Sequence, residues 1–295
     1  MANDKISLNA LIEEAEAAKL SLNAYLLRQS AAELEITEEE LLAKMAQMLK
    51  VMEEAAAYGL TGVRSHSGLT GGSALKLQNA AAQPGFNKLL GALATDAVTY
   101  ALAVSECNAA MGRIVAAPTA GAAGVLPGVL LALKKHCNLT EEQLARALVV
   151  AGQIGLVIAA RASLAGAVGG CQAECGSAAA MAAGAAVDAL GGTPAQAGTA
   201  VSIVFKNMLG LVCDPVAGLV EVPCIKRNGG AAVQALLAAE MALAGIGSFI
   251  PADEAIDAMK WVGDSMPCAL RETAGGGLAQ TPTALAWAKA WFERE

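Results

Sequence analysis

Three segments each set a cysteine among residues that bend or end a chain: Gly169-Gly-Cys-Gln-Ala-Glu-Cys-Gly176, Leu211-Val-Cys-Asp-Pro-Val-Ala-Gly218 and Val222-Pro-Cys-Ile-Lys-Arg-Asn228. Ten residues separate Cys213 from Cys224, and Cys171 lies far upstream. A zinc ribbon would need paired C-x-x-C spacing or histidines, and the chain has two histidines in all. The run of cysteines found in ferredoxins is missing too. Three thiolates beside Gly and Pro would suit an iron cluster that keeps one iron free of protein. Such an iron can act as a Lewis acid, where a fourth cysteine would leave only electron transfer. Spacing alone leaves buried structural cysteines equally open.

Other polar residues break an apolar background. Ser65, Ser67, Thr70, Gly71 and Gly72 form a hydroxyl- and amide-rich loop able to bind a carboxylate, although a plain turn between helices reads the same way. Thr119 to Gly124 has similar character and could equally serve helix packing. Lys206 and Asn207 follow a long apolar run, and Arg227 and Asn228 follow Cys224. Each could bind a carboxylate or offset cluster charge, or simply be a solvated helix end. Arg271 and Glu272 could form a structural ion pair. His66 has the chemistry of a general base, and His136, among Lys134, Lys135 and Asn138, looks like an exposed helix end.

The elements that must position these residues read as helices. From Glu13 to Glu54, acidic and basic residues alternate with Leu, Ile, Met and Ala at helical spacing. Thr37 with Glu40 fits a capping box opening a helix through Met52, and Thr140 and the approach to Asp253 mark further starts. Residues 59–72 are turn-rich, a helical pattern runs from Asn87 to Met111, and Ala-rich helices fill most of 141–204. Strand alternation is scarce. The expected fold is all-α, one globular domain of tightly packed Ala/Gly-rich helices with loop-held cysteines. Residues 1–58 supply amphipathic N-terminal helices and 59–295 the core.

Composition narrows the function. The chain is 55% hydrophobic but 3% aromatic, with 31 glycines and net charge −7. No basic stripe or aromatic platform suits nucleic acid. Seven cysteines, an odd number, and no apolar leader at the N-terminus point to a reducing cytoplasm without disulfides. Ile114–Leu133 is uncharged and long enough to span a bilayer, yet Pro118, Pro127 and its glycines argue for a buried soluble segment. A transporter with Gly/Pro-broken helices is the rival outside enzymes.

Five separated motifs then resemble one family over about residues 20–285: Ser67-Gly-Leu-Thr-Gly-Gly72, Ala117-Pro-Thr-Ala-Gly121 with Gly124-Val-Leu-Pro-Gly128, Gly170-Cys-Gln-Ala-Glu174, Val212-Cys-Asp-Pro-Val-Ala-Gly-Leu-Val-Glu-Val-Pro-Cys224, and Leu270-Arg-Glu-Thr273. The sequence resembles the iron–sulfur-dependent L-serine dehydratases. The resemblance implies an all-helical catalytic domain and a [4Fe–4S] cluster held by Cys171, Cys213 and Cys224, with one iron not ligated by cysteine. It implies amino-acid degradation feeding gluconeogenesis: L-serine loses water, and the product hydrolyses to pyruvate and ammonia without pyridoxal phosphate.

Around that cluster the catalytic candidates are Ser65, Ser67 and Lys206. The substrate-binding candidates are Ser67, Thr70, Gly71, Gly72, Thr119, Asn207, Arg227 and Arg271. His66 departs from relatives, which commonly carry proline there, and is a poor candidate base. Cys175 reads as a buried thiol, since relatives can lack it. A C-terminal cysteine that occupies the free iron in some relatives is not expected, because this chain ends Trp-Phe-Glu-Arg-Glu. The chain reads as an α subunit needing a separate β subunit. A related lyase acting on L-threonine or L-cysteine would share these motifs.

Overall fold

Hydroxyl side chains open six of the described helices. In the computed structural model, which describes residues 6–86 and 88–293, Ser7 caps α1 (Leu8–Ala17) and Ser21 caps α2 (Leu22–Glu33). Thr37 and Glu40 form a capping box on α3, which runs past Met52 to Gly59 (Glu38–Gly59). A short helix α4 (Ser73–Ala82) follows the turn-rich loop, and α5 spans Gly91–Ala109. Next come α6 (Val125–Cys137), α7 (Glu141–Arg161) behind a Thr140–Gln143 capping box, and the one-turn α8 (Gly166–Gly169). A π-helical turn, Gln172–Gly176, leads directly into α9 (Ser177–Ala189). The rest is α10 (Pro194–Met208), α11 (Cys224–Leu243), α12 (Ala252–Ser265) and α13 (Pro282–Phe292). Among the described residues the only β pairing is two isolated bridges.

Small residues decide the packing. α9 is buried at every position from Ser177 to Asp188, enclosed by α6, α7, α10 and α11. α5 is a second hub against α3, α4, α6 and α11. Backbones meet there: a methyl added at Gly59 would stand 1.9 Å from the Ala103 carbonyl oxygen, and one at Gly124 2.2 Å from that of Ala101. Glycine at these sites removes the spacer that normally holds helices 8–10 Å apart. The low aromatic content is thus what this packing requires. The N-terminal helices join the same core, α1 against α10 and α3 against α5 and α7.

Buried acids close helix ends from a distance. Asp253 accepts the Leu8 N–H at 2.9 Å, Asp188 accepts Asn23 N–H at 3.0 Å, and Glu106 accepts Ser73 N–H at 2.7 Å. Each satisfies a donor that the helix itself leaves orphaned. The stretch Ile114–Leu133 is not one helix; an irregular segment and a 3₁₀ turn at Ala120–Ala122 precede α6. The one described helix long and apolar enough to cross a membrane is α7, which packs against α9, α3 and α2.

Candidate functional site

The three cysteine segments are held in register by named hydrogen bonds. Gly170 adopts φ +76°, and a side chain there would collide with Met266 and the Leu211 carbonyl. This turn delivers Cys171 to the start of the π turn. Gln172, fully buried, donates its backbone N–H to Leu211 O at 3.0 Å and its Nε2 to Met259 O at 2.9 Å, and accepts Gly210 N–H at 2.9 Å. The Cys171 turn is thereby fixed to the strand-like segment that carries Cys213. Cys213 N–H donates to Leu270 O at 2.9 Å, and its carbonyl accepts Glu272 N–H at 2.7 Å. Cys224 is the first residue of α11. One turn along that helix, Asn228 donates to the carbonyls of Cys224 (2.9 Å) and Gly121 (2.7 Å) and accepts Gly124 N–H at 2.9 Å. Arg227 completes the frame, reaching Val212 O and Asp214 Oδ1, each at 2.8 Å.

All three thiols are buried and close enough to act on one another electrostatically. Burial and the charges of Cys171 and Glu174 push the Cys213 thiol far above its ordinary range. The same causes push Cys224 up to about 12, Arg227 opposing them. The buried Cys175 thiol hydrogen-bonds the Cys171 sulfur and draws its pKa down, against burial; Arg227 acts in the same direction. Cys175 therefore has a definite place beside Cys171, beyond filling space. Both Cys171 and Cys224 lie at helix N-termini, where the backbone favours negative sulfur.

Two carboxylates, Glu174 and Glu272, meet the Cys213 thiol. A sulfur of Cys213 and one oxygen each of Glu174 and Glu272 all lie within 4.8 Å of one another. Glu174 Oε2 is 4.0 Å from Cys213 Sγ, while its other oxygen accepts Thr119 Oγ1–H at 2.8 Å. Burial raises the Glu174 pKa, the Thr119 bond opposes this and Glu272 adds to it. Glu272 is held at φ +63° by its bond to Cys213 O, a left-handed conformation that costs a non-glycine residue energy. It makes no ion pair with Arg271, whose guanidinium reaches instead to Val168 O at 3.5 Å.

The serine loop folds onto a third carboxylate, Glu221. Ser67 Oγ donates to Glu221 Oε1 at 2.8 Å and Thr70 Oγ1 to Oε2 at 2.7 Å. Ser65 is buried and bonded within the loop, to Thr70 N–H and O and to Ser67 Oγ, each at 3.2 Å. Gly71 (φ +139°) and Gly72 (φ +74°) turn the chain into α4, and any Cβ at Gly71 would stand 2.4 Å from Val63 O. Both glycines shape this turn. His66 is exposed and meets the edge of Trp291 on α13, centroids 6.2 Å apart.

Two predicted residues are drawn elsewhere. Lys206 bonds Ser248 in the loop between α11 and α12, because it shares the α10 face of Ser202, which bonds the same serine. Asn207 donates to Gln234 at 3.1 Å; Gln234 lies ten residues along α11 from Cys224, a rise of roughly 15 Å. His136 is half-buried and bonded to Asp96 at 2.6 Å, so it is more than an exposed helix end. All seven cysteines are unpaired; Cys107 is buried, Cys137 half-buried and Cys268 exposed.

Comparison with known proteins gives a consistent picture. Residues 5–279 match the family described as "Serine dehydratase alpha chain". A Bacillus subtilis protein named "Probable L-serine dehydratase, alpha chain" is 58% identical, the match covering 84% of this chain and 82% of that one. The "L-serine dehydratase, alpha chain" of Peptoniphilus asaccharolyticus is 44% identical, over 84% of each chain. The "L-serine dehydratase" of Streptomyces coelicolor is 44% identical over 82% of this chain but 54% of its own length.

Proposed function

The chain belongs to the serine dehydratase alpha-chain family, and on that premise we propose that it is the cluster-bearing catalytic subunit of an L-serine dehydratase. The observation that carries the reading is the convergence of Cys171, Cys213 and Cys224 on one buried centre beside Glu174 and Glu272. Cys213 and Cys224, buried thiols that resist ionisation, need a cation to become thiolates, and with Cys171 they give three sulfurs with oxygen donors alongside, which fit a [4Fe–4S] group with one iron free of cysteine. When bound, that iron supplies Lewis acidity to the substrate's oxygens.

The chain's own residues do the rest. The bonds from Gln172, Asn228 and Arg227 hold the sulfurs on fixed backbone. Thr119 orients Glu174 so that one oxygen faces Cys213. In this reading Glu174 or Glu272, the carboxylates beside Cys213, takes the Cα proton, in place of Lys206, which bonds Ser248. Loss of that proton and of the β-hydroxyl removes one water and leaves aminoacrylate. Its imine tautomer takes up water and releases ammonia and pyruvate. Arg227, beside Cys171 and Asp214, offsets negative charge at the centre.

A companion β chain is the expected partner, in keeping with the alpha-chain names of the first two relatives and the greater length of the Streptomyces protein. Seven free cysteines suit a reducing, cytoplasmic setting. The test is anaerobic reconstitution with iron and sulfide, addition of the β chain, and assay of pyruvate from L-serine. Loss of both iron and pyruvate in Cys171→Ala, Cys213→Ala and Cys224→Ala supports the reading. A loaded centre that acts only on L-threonine or L-cysteine moves the substrate, and full activity in all three variants overturns the ligand set.

A further inference from the structure

One cleft outside the cysteine centre gathers three cations around a single carboxylate, Glu221. It lies between the serine loop, the start of α4 and the start of α11, and has a volume of about 170 Å³ with mainly polar walls. Arg64 from the loop, Lys76 from α4 and Lys226 from α11 line it. Among the described residues none of the three has an ion-pair partner. A single unpaired lysine is an ordinary solvated side chain; three cations from three elements around one cleft, in a chain of net charge −7, are an electrostatic trap for an anion.

The inner wall carries the opposite sense. Glu221 lines the cleft with Thr70. The Ser67 and Thr70 hydroxyl hydrogens are spent on Glu221, so the Thr70 oxygen is left as an acceptor. The loop does not present the donors expected of it for a carboxylate. It presents acceptors, suited to an ammonium group, while the donors for a carboxylate are the three cations. A cleft of this size has room for a small amino acid.

We propose that this cleft binds the zwitterion of a small amino acid, its carboxylate against Arg64, Lys76 and Lys226 and its ammonium toward Thr70 and Glu221. The inference leans on the dehydratase reading only for the choice of L-serine as probe. The test uses the full chain without iron, so that turnover plays no part. L-serine is titrated at low salt by ligand-observed NMR, alongside ethanolamine, which lacks the carboxylate, and acetate, which lacks the amine.

Binding of L-serine with loss of about three- to fivefold in affinity in each of Arg64→Gln, Lys76→Gln and Lys226→Gln is expected. The triple variant should not bind detectably, Lys226→Arg should bind as the parent does, and ethanolamine and acetate should bind more weakly than L-serine. Lys44→Gln, exposed on α3, is the control that changes charge alone. No binding of L-serine to the parent, or equal binding by the triple variant, overturns the proposal. Equal affinity for acetate and L-serine overturns the amino-acid assignment. A cation effect seen only when the β chain is present would make the cleft a docking contact and overturn it too. Intact binding in a chain that makes no pyruvate when loaded would sink the dehydratase reading and leave this one standing.

Discussion

Gly166→Ala probes the space between Cys213 and Glu174 with one methyl group. Gly166 opens α8 with a backbone that alanine can adopt, so the change carries no conformational penalty. The added Cβ would lie 2.9 Å from both Cys213 Sγ and Glu174 Oε2. Ordinary contacts need about 3.5–4.0 Å, so the thiol, the carboxylate or both must yield by roughly 0.6–1 Å. Overpacking costs about 1–3 kcal/mol and the helix propensity of alanine returns up to about 1. The net cost of about 0–2 kcal/mol leaves the fold standing.

A metal site is far less forgiving, since its ligand distances tolerate only about ±0.2 Å. The variant should therefore keep its fold and lose its iron. Iron per chain after anaerobic reconstitution, its retention under chelator challenge, and thermal melting of the unloaded chain are the readouts. Retention should be at least about tenfold weaker, the scale seen when support of a ligand is removed, with melting nearly unchanged. Gly230→Ala is the control, because a Cβ there meets nothing within 4 Å. Normal iron retention in Gly166→Ala would refute the idea that the metal lies on the side of Cys213 facing Glu174.

Three further outcomes are expected. Asn228→Ala strips three hydrogen bonds from a fully buried site and should cost about 2–4 kcal/mol, seen as a fall in melting temperature of roughly 3–6 °C. Asp96 is pushed toward a higher pKa by burial, but the hydrogen bonds and charges of Lys135 and His136 outweigh this and leave it lowered. Its contribution to stability is thus present above the unfolded value near ~3.9 and is lost as pH falls through the lowered folded value. Asp96→Asn should accordingly cost up to about 1 kcal/mol at pH ~7 and nothing well below pH ~3 in urea titrations. Lys206→Ala, at an exposed position bonded to Ser248, should leave the rate of pyruvate formation within roughly twofold, as for surface changes of about 0.5 kcal/mol.

Local signals were readable because their causes are local. Thr37 with Glu40 and Thr140 with Gln143 set helix starts within four residues, and both caps form. The three cysteine segments were equally visible, since Gly and Pro announce a turn wherever they occur. What escaped depended on partners far along the chain. Glu221 meets Ser67 and Thr70 across some 150 residues, and Glu106, Asp188 and Asp253 cap helices on other segments. No periodicity encodes such pairings. Lys206 shows the reverse error: its place at the end of an apolar run suggested the site, but the rotation of α10 about its axis decides which way it faces. Glu174 could have been suspected, since it follows Cys171 by three residues within one helical turn and so stays near it.

Helix packing and the cysteine centre also share parts, which bears on how any core variant must be interpreted. Gly124 lets α6 touch the α5 backbone at Ala101, and the same residue donates its N–H to Asn228. Asn228 in turn holds Gly121 and Cys224, and the 117–124 segment carries Thr119 to Glu174. A side chain at Gly124 would have to push α5 and α6 apart by more than 1 Å, because a contact of 2.2 Å must open to about 3.5 Å. That displacement reaches Asn228 directly and then both Cys224 and Glu174. Variants that loosen the α5–α6 contact are therefore expected to change iron retention at substitutions mild enough to leave the melting temperature within a few degrees, and the order of these two effects follows from the bonding of Asn228 rather than from general destabilisation.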